Sequence, residues 1–148
     1  MFILLIDNNR FYVSVLQAML FKAGFDCLGY AENGLSCINQ IDTDENPDVI
    51  IIDEGQCFLN GIDVIQKIRE SKPETRIIIL TGIESGINLN LLPENGPVYF
   101  MDKCSITAEN LPQVLYNIFT EKISLTRIPP MNKLFSSLRR SFTGMLNF

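Results

Sequence analysis

The sequence predicts an α/β fold in which a five-stranded parallel sheet is covered by helices on both faces. Five short apolar segments alternate with segments whose apolar residues recur at helical spacing, a pattern typical of βαβ units. One of these segments, Val49–Asp53, is a β-branched run that ends in an acid, as expected for a strand buried on both faces. The chain has 148 residues, 47% of them hydrophobic, which suffices for one core but not for a second full domain.

In the first half of the chain, three predicted strands alternate with two predicted helices. The strands are apolar runs, namely Phe2–Ile6, Cys27–Tyr30 and Val49–Asp53. Apolar residues three and four positions apart predict a helix at Phe11–Lys22, which Gly24 ends, and a second helix at Gly34–Ile41. The helical side chains expected to face the core are Tyr12, Val15, Leu16, Met19, Leu20, Leu35, Ile38 and Ile41.

The second half continues the alternation. The spacing predicts helices at Gly61–Ser71 and Ala108–Ile123, and strands at Arg76–Leu80 and Val98–Met101. The segment Ile83–Pro97 is interrupted by glycine, proline and asparagine, so we expect at most a short, irregular helix there. The helical side chains expected to face the core are Val64, Ile65, Ile68, Leu111, Val114, Leu115 and Ile118.

Polar residues stand where four of the predicted strands end. Asp7 and Asn8 follow the first strand, Asp53 ends the third, Thr81 follows the fourth and Lys103 follows the fifth. The carboxyl ends of parallel strands meet at one edge of a sheet, where ligands bind. Two carboxylates can hold Mg²⁺, a hydroxyl and an ammonium can receive phosphoryl oxygens, and an aspartate can attack phosphorus. This edge therefore suits phosphoryl transfer.

Over residues 1–123 the chain resembles the receiver domain of two-component response regulators. In that family an acidic pair follows strand one, a phosphoacceptor Asp ends strand three with a Gly eight residues later, and Thr or Ser and Lys end strands four and five. Asp7, Asp53, Gly61, Thr81 and Lys103 occupy those positions. The resemblance implies a flavodoxin-like three-layer sandwich of strand order 2-1-3-4-5.

The resemblance also implies a set of site residues. Asp53 is the expected phosphoacceptor, and Thr81 and Lys103 are expected to read the new charge, with Thr81 and Phe100 as the switch pair. Mg²⁺ is the expected cofactor. Its expected ligands are Asp7, Asn8, Asp53 and the backbone carbonyl of Gly55.

Departures from the family pattern weaken some of these expectations. Asn8 replaces the second acid of strand one, so Mg²⁺ should bind more weakly than usual. Cys57 and Cys104 stand where the family commonly has proline, so both loops are expected to differ in shape. Structural alternatives also remain open: Asp7 as a helix cap, Thr81 as an ordinary strand residue, Lys103 as a surface charge and Phe100 as a core residue.

Composition excludes several other functions. The chain has no histidine, and its four cysteines (Cys27, Cys37, Cys57 and Cys104) form no C-x-x-C pair, which argues against a zinc site or a histidine-based triad. We expect these thiols to be buried in a reducing compartment. The apolar start lacks a basic region and is cut by Asp7, so it is not a signal peptide, and we expect a cytoplasmic location.

The last 25 residues differ from the body. Residues 1–123 carry 8 basic and 17 acidic side chains, whereas residues 124–148 carry 4 basic and none acidic, so the body is a poor partner for nucleic acid. We therefore divide the chain into a receiver domain, 1–123, and a basic amphipathic helical tail, 124–148. The tail is expected to bind a membrane surface or a partner, to self-associate, or to pack on its own body. Its apolar stripe comprises Met131, Leu134, Phe135, Leu138, Phe142, Met145 and Leu146.

Two functional hypotheses follow. The first is a non-enzymatic receiver that accepts a phosphoryl group on Asp53 from a histidine kinase or phosphotransfer protein and signals to an output partner. The alternative is a phosphorylation-independent pseudo-receiver that binds a protein or membrane through its tail; Asn8 and Cys104 motivate it. The sequence argues against an independent hydrolase, because it shows no Gly-rich phosphate loop and no second acid two residues after Asp53.

Overall fold

The computed structural model describes residues 1–26, 28–43, 46–59, 62–82 and 96–120. Its central layer is a five-stranded parallel sheet, and an additional pair of two-residue strands follows the third strand of this sheet. The strands, numbered in chain order, are β1 (Ile3–Ile6), β2 (Leu28–Ala31), β3 (Val49–Asp53), β4 (Phe58–Leu59), β5 (Ile62–Asp63), β6 (Arg76–Thr81) and β7 (Val98–Asp102). The helices are α1 (Arg10–Lys22), α2 (Gly34–Thr43), α3 (Val64–Ser71) and α4 (Asn110–Phe119).

The sheet has the order β2-β1-β3-β6-β7. Counted without the small antiparallel pair β4–β5, this is the predicted order 2-1-3-4-5. β3 pairs in parallel with β1 on one side and with β6 on the other, so it lies at the centre of the sheet. Its first four residues are buried, as the β-branched run predicts.

Alternate residues of the strands point to opposite faces of the sheet and form two cores. On one face Ile50 and Ile52 pack with the apolar sides of α2 and α3. On the other face Val49 and Ile51 pack with those of α1 and α4. The three-layer flavodoxin-like arrangement predicted from the sequence is therefore confirmed.

Local hydrogen bonds set the ends of α1. Asn9 is the N-cap, and its side chain accepts a hydrogen bond from the Tyr12 backbone N–H at 3.1 Å. At the other end Phe25 N–H donates to the Leu20 carbonyl while Gly24 takes a φ of +92°. This is a Schellman-type ending, so the prediction that Gly24 ends the helix is confirmed.

Two helices begin at later residues than the sequence predicts. The helix expected at Gly61–Ser71 begins at Val64, because Ile62 and Asp63 form strand β5 and Asp63 then caps the helix through a bond from Gln66 N–H. The helix expected at Ala108–Ile123 begins at Asn110.

Burial corrects two further expectations. Val13 is buried although the predicted helical face omitted it. Cys37 and Cys57 are buried as expected, but Cys104 is exposed, so the prediction of buried thiols was wrong for Cys104.

Several sequence predictions lie outside the described residues. They concern Cys27, Gly61, the irregular stretch 83–95 and the tail 124–148. Among the residues that the structure describes, no helix has the length and apolar character needed to cross a membrane.

Candidate functional site

Three charged side chains meet at the carboxyl edge of the sheet. The Nζ atom of Lys103 lies 2.8 Å from Oδ2 of Asp7 and 2.6 Å from Oδ1 of Asp53. Asp7 follows β1, Asp53 ends β3 and Lys103 follows β7, so the three come from separate parts of the chain. The predicted convergence of these strand ends therefore occurs for Asp7, Asp53 and Lys103.

Asp7 is almost inaccessible to solvent, with 3% of its surface exposed. Its Oδ1 accepts a hydrogen bond from Asn9 N–H at 2.8 Å, and its backbone carbonyl accepts one from the Tyr30 hydroxyl at 3.3 Å. Asn9 is the N-cap of α1, whereas the alternative sequence reading gave that role to Asp7. These contacts hold the Asp7 carboxylate facing the site.

Asp53 remains accessible at the end of its strand, with 18% of its side chain exposed. Its Oδ2 accepts a hydrogen bond from Gly55 N–H at 3.0 Å. The Cys57 thiol donates to the Asp53 backbone carbonyl at 3.7 Å. Both carboxylate oxygens thus have a donor, and the group is fixed in orientation while it can still be reached from outside.

Lys103 carries the only ammonium group that contacts Asp53 within the described part of the chain. Burial opposes the charge of Lys103, but the hydrogen bonds and attraction of Asp53 and Asp7 outweigh it, so the pKa of Lys103 is raised above its ordinary value. The side chain is 25% exposed, which excludes the reading of Lys103 as a solvated surface charge.

The aromatic ring of Tyr12 also contacts the Lys103 ammonium. The Lys103 Nζ lies 4.7 Å from the ring centroid. The helical spacing of the sequence predicts an inward position for Tyr12 but gives it no part in the site. Helical spacing identifies such an inward position, but it does not identify which strand end the ring reaches.

The two residues predicted to act as a switch lie on neighbouring strands. The Thr81 hydroxyl donates to the Met101 backbone carbonyl at 3.3 Å, so Thr81 is bonded to β7 and not to Asp53. Phe100 is partly buried and packs against the core on the α2–α3 side of the sheet. Thr81 and Phe100 are thus connected through the β6–β7 pairing.

The oxygen atoms at this edge fit a small divalent cation. Carboxylate oxygens of Asp7 and Asp53 already converge on one ammonium, and hard oxygen donors are what Mg²⁺ prefers. Asn8 and Gly55 are exposed next to these acids and could add an amide and a backbone carbonyl oxygen. Among the described residues no group of three or more His, Cys, Asp or Glu is placed to hold a metal, so the set relies on neutral oxygens to complete it.

A further carboxylate lies beside the site and was not singled out from the sequence. Glu54 follows Asp53, and its Oε2 is buried and has no hydrogen-bond partner among the described residues. Its Oε1 would lie 3.6 Å from a Cβ added to Gly82, the residue after Thr81. Glu54 therefore adds negative charge on the β6 side of Asp53.

Comparison with known proteins identifies a family for most of the chain. The family model for the response regulator receiver domain matches residues 3–115. The chain is 28% identical over 81 residues to the chemotaxis protein CheY of Thermotoga maritima, which is 55% of this chain and 67% of that protein. It is 31% identical over 101 residues to the alkaline phosphatase synthesis transcriptional regulatory protein PhoP of Bacillus subtilis, which is 68% of this chain and 41% of that protein. Several of the curated relatives are thus about twice as long as the region that this chain matches, or longer.

Solved structures support the same fold. A response regulator receiver domain protein from Clostridium thermocellum matches with a TM-score of 0.66 and 25% identity, covering 81% of this chain and 94% of that one. The receiver domain of a sensor histidine kinase from Pseudomonas aeruginosa matches with a TM-score of 0.63 and 22% identity, covering 78% and 93%. The latter structure has a magnesium ion coordinated in its active site cleft.

Proposed function

Because the chain belongs to the response regulator receiver family, we propose that it accepts a phosphoryl group on Asp53 and signals to a partner through a change of its surface. The observation that carries this proposal is the contact of one ammonium, that of Lys103, with both Asp7 and Asp53. One edge of the sheet thus brings together a nucleophilic carboxylate, a second carboxylate and an ammonium that can pair with the transferred phosphoryl group.

The geometry of Asp53 suits in-line attack on phosphorus. One of its oxygens forms the new bond to phosphorus while the bond from phosphorus to the donor breaks, and the donor group leaves with the electron pair of that bond. With acetyl phosphate as donor the products are the acyl phosphate of Asp53 and acetate. Lys103 and the Gly55 N–H, which contact Asp53 before transfer, orient the carboxylate and offset negative charge.

We propose Mg²⁺ as the cofactor, with Asp7, Asn8, Asp53 and the Gly55 carbonyl as the residues that hold it. When bound, the ion neutralises phosphoryl oxygens and aligns them with the carboxylate. With Asn8 in place of an acid, fewer charges attract the ion, and we expect a lower affinity than an all-acidic site would have.

The phosphorylated state is expected to differ at the β6–β7 edge. A phosphoryl group adds roughly −1.5 to −2 charges and three acceptor oxygens. The Thr81 hydroxyl can exchange its bond to Met101 for one to a phosphoryl oxygen, and the space it vacates lets Phe100 repack. The proposed phosphate source is a histidine kinase or phosphotransfer protein, and the output is a partner protein that reads this edge. The role is one of signalling and not of substrate turnover.

The test is phosphorylation by a small donor. The full chain is incubated with acetyl phosphate and Mg²⁺, and intact mass is followed for the addition of one phosphoryl group. We expect the adduct in the wild type, no adduct in Asp53→Asn, and the wild-type adduct in the control Asp26→Asn, which removes an exposed carboxylate away from the site. An adduct that persists in Asp53→Asn, or none in the wild type, would refute the proposal.

One observation favours a second candidate, a pseudo-receiver that acts without phosphate. Asn8 is neutral and exposed, and Lys103 already neutralises part of the charge of Asp7 and Asp53. The carboxyl edge of the sheet can therefore be stable without a bound metal ion. In that case binding to a partner or to anionic vesicles is unchanged by Asp53→Asn but is lost on removing residues 124–148. The receiver proposal instead expects partner binding to depend on Asp53.

A further inference from the structure

We propose that Tyr12 is a positioning residue for phosphoryl transfer, because its ring holds the Lys103 ammonium between the two aspartates. This inference rests on the proposed function and extends it to a residue outside the predicted site. Tyr12 is the third residue of α1, and its ring lies 4.7 Å from the Lys103 Nζ. The face of an aromatic ring attracts a cation at this distance.

A closed circuit of contacts fixes the ring. Asp7 Oδ1 accepts from Asn9 N–H at 2.8 Å, and Asn9 Oδ1 accepts from Tyr12 N–H at 3.1 Å. The Tyr12 ring contacts Lys103, whose Nζ returns to Asp7 Oδ2 at 2.8 Å. The first turn of α1 and the Lys103 ammonium therefore contact the same carboxylate, which places the Tyr12 backbone and the partner of its ring in one network.

The chemistry of Lys103 explains why such support matters. A lysine side chain is long and has several rotatable bonds, so contacts with two carboxylates alone would leave its ammonium free to move among several positions. The ring closes one side of the site and restricts the ammonium to the space between Asp7 and Asp53. Tyr12 also packs against the core on the α1 side of the sheet, which holds the ring rigidly.

The hydroxyl of Tyr12, unlike its ring, takes no part in the contact with Lys103. It is buried and has no hydrogen-bond partner among the described residues. Burial raises the pKa of the Tyr12 hydroxyl, Lys103 partly opposes this shift, and the charges of Asp7 and Asp53 add to it. The hydroxyl therefore stays protonated. An unpaired hydroxyl contributes nothing to the cation contact, which the ring face supplies. The structure therefore assigns the positioning role to the ring, and phenylalanine should substitute for tyrosine.

The experiment compares Tyr12→Phe, Tyr12→Leu and Tyr12→Met in the full chain. Phe11→Leu is the matched control, because Phe11 is the neighbouring aromatic residue of α1 but is 79% exposed and does not touch Lys103. The first readout is the NMR signal of the Lys103 ammonium protons without Mg²⁺ or donor, which persists only when the group is held and protected from exchange. The second is the rate of phosphorylation by acetyl phosphate with Mg²⁺.

We expect the Lys103 signal and the wild-type rate in Tyr12→Phe and in Phe11→Leu. In Tyr12→Leu and Tyr12→Met the signal should be lost, and the rate should fall about threefold to tenfold, the size that a partly buried cation–π contact supports. Tyr12→Met keeps a long apolar side chain, so it provides the comparison if Tyr12→Leu does not fold. A retained Lys103 signal in the folded ring-less variant, or a defect in Tyr12→Phe equal to that variant's, would overturn the inference. The NMR readout needs no phosphorylation, so the two failures are distinguishable: a wild type that fails to react overturns the proposed function and with it the role in phosphoryl transfer, whereas the signal decides separately whether the ring holds the ammonium.

Discussion

The Lys103 Nζ lies 2.6 Å from Oδ1 of Asp53, closer than to the oxygen of Asp7 with which it also pairs at 2.8 Å. The proposed phosphoacceptor thus has a counter-charge within its own chain. Because the pKa of Lys103 is raised, this charge persists across the neutral range and is lost only as the pH rises through the raised value. Any metal ion that enters must share the two carboxylates with this ammonium.

Removing that ammonium should destabilise the fold when metal is absent and increase the stabilising effect of Mg²⁺. In Lys103→Met the carboxylates of Asp7 and Asp53 lose their shared partner and repel each other, so we expect the free energy of unfolding to fall by roughly 1–3 kcal/mol without Mg²⁺. Mg²⁺ should then stabilise the variant more than it stabilises the wild type. Urea denaturation with and without Mg²⁺ measures both effects. The control is Lys67→Met, whose exposed pair with Glu70 should contribute less than about 1 kcal/mol; equal losses in the two variants would contradict the prediction.

Restoring an acid at position 8 should strengthen metal binding. Asn8→Asp adds a negative charge next to Asp7, and one unit charge about 4 Å from another contributes roughly 1–4 kcal/mol depending on exposure. We therefore expect Mg²⁺ to bind at least about tenfold more tightly, as followed by NMR shifts of residues around Asp53 during a titration. Asn46→Asp adds the same charge at the opposite edge of the sheet and should leave the affinity within about twofold. An Asn8→Asp affinity no higher than that of Asn46→Asp would argue against the assigned metal position.

The two described cysteines nearest the site should differ sharply in reactivity. Burial, together with the negative charges of Asp53, Asp63 and Glu54, raises the pKa of Cys57 to about 12, whereas Cys104 is exposed. At pH 8 only about 10⁻⁴ of Cys57 would be thiolate, the form that reacts.

Alkylation with iodoacetamide, mapped by peptide mass, should therefore modify Cys104 well before Cys57 in the native chain. Since the folded pKa of Cys57 exceeds its unfolded value, its contribution to stability is complete below about pH 9 and declines as the pH rises towards 12. Modification of both thiols at similar rates under native conditions would show that Cys57 is accessible. Cys104→Ser is the control that removes the fast phase.

Much of the fold and part of the site followed from the sequence for physical reasons. The β-branched run Val49–Asp53 can be buried on both faces only at the centre of a covered sheet, and strand ends in such a sheet share one edge. From these two properties of the sheet one can predict that Asp7, Asp53 and Lys103 lie close together. These are consequences of periodicity and of chain direction, which a single sequence carries.

The features that could not be predicted depend on tertiary contacts, which leave no periodic pattern in the sequence. Strands β4 and β5 have two residues each, too few to show an alternation, so the late start of α3 could not be predicted. Tyr12 and Val13 both face inward from α1, yet only the tertiary structure decides that Tyr12 reaches Lys103. The exposure of Cys104 has the same origin, because a short turn after a strand can direct a small side chain either way.

A buried arginine links two elements at the far edge of the sheet. Arg69 is 5% exposed and donates to the carbonyls of Pro73, Thr75 and Pro97, and so ties the end of α3 to the start of β7. Gly96 has a φ of +83°, and a Cβ there would lie 2.7 Å from both Arg69 Cζ and the Pro73 carbonyl oxygen. Gly96→Ala therefore meets both backbone strain and a clash with the group that links these elements.

Gly24→Ala separates the two costs. Gly24 has a similar φ of +92°, but an added Cβ would meet nothing within 4 Å, so we expect a loss of roughly 1–2 kcal/mol from backbone strain alone. Gly96→Ala should lose about 1–3 kcal/mol more, because the Arg69 guanidinium and the Pro73 carbonyl must move and the bonds between Arg69 and its carbonyl partners are then disturbed. Chemical denaturation of the two variants measures the difference. Equal losses would mean that Arg69 and Pro73 can shift at no cost and that the bond from Arg69 to the Pro97 carbonyl does not hold the start of β7 in place.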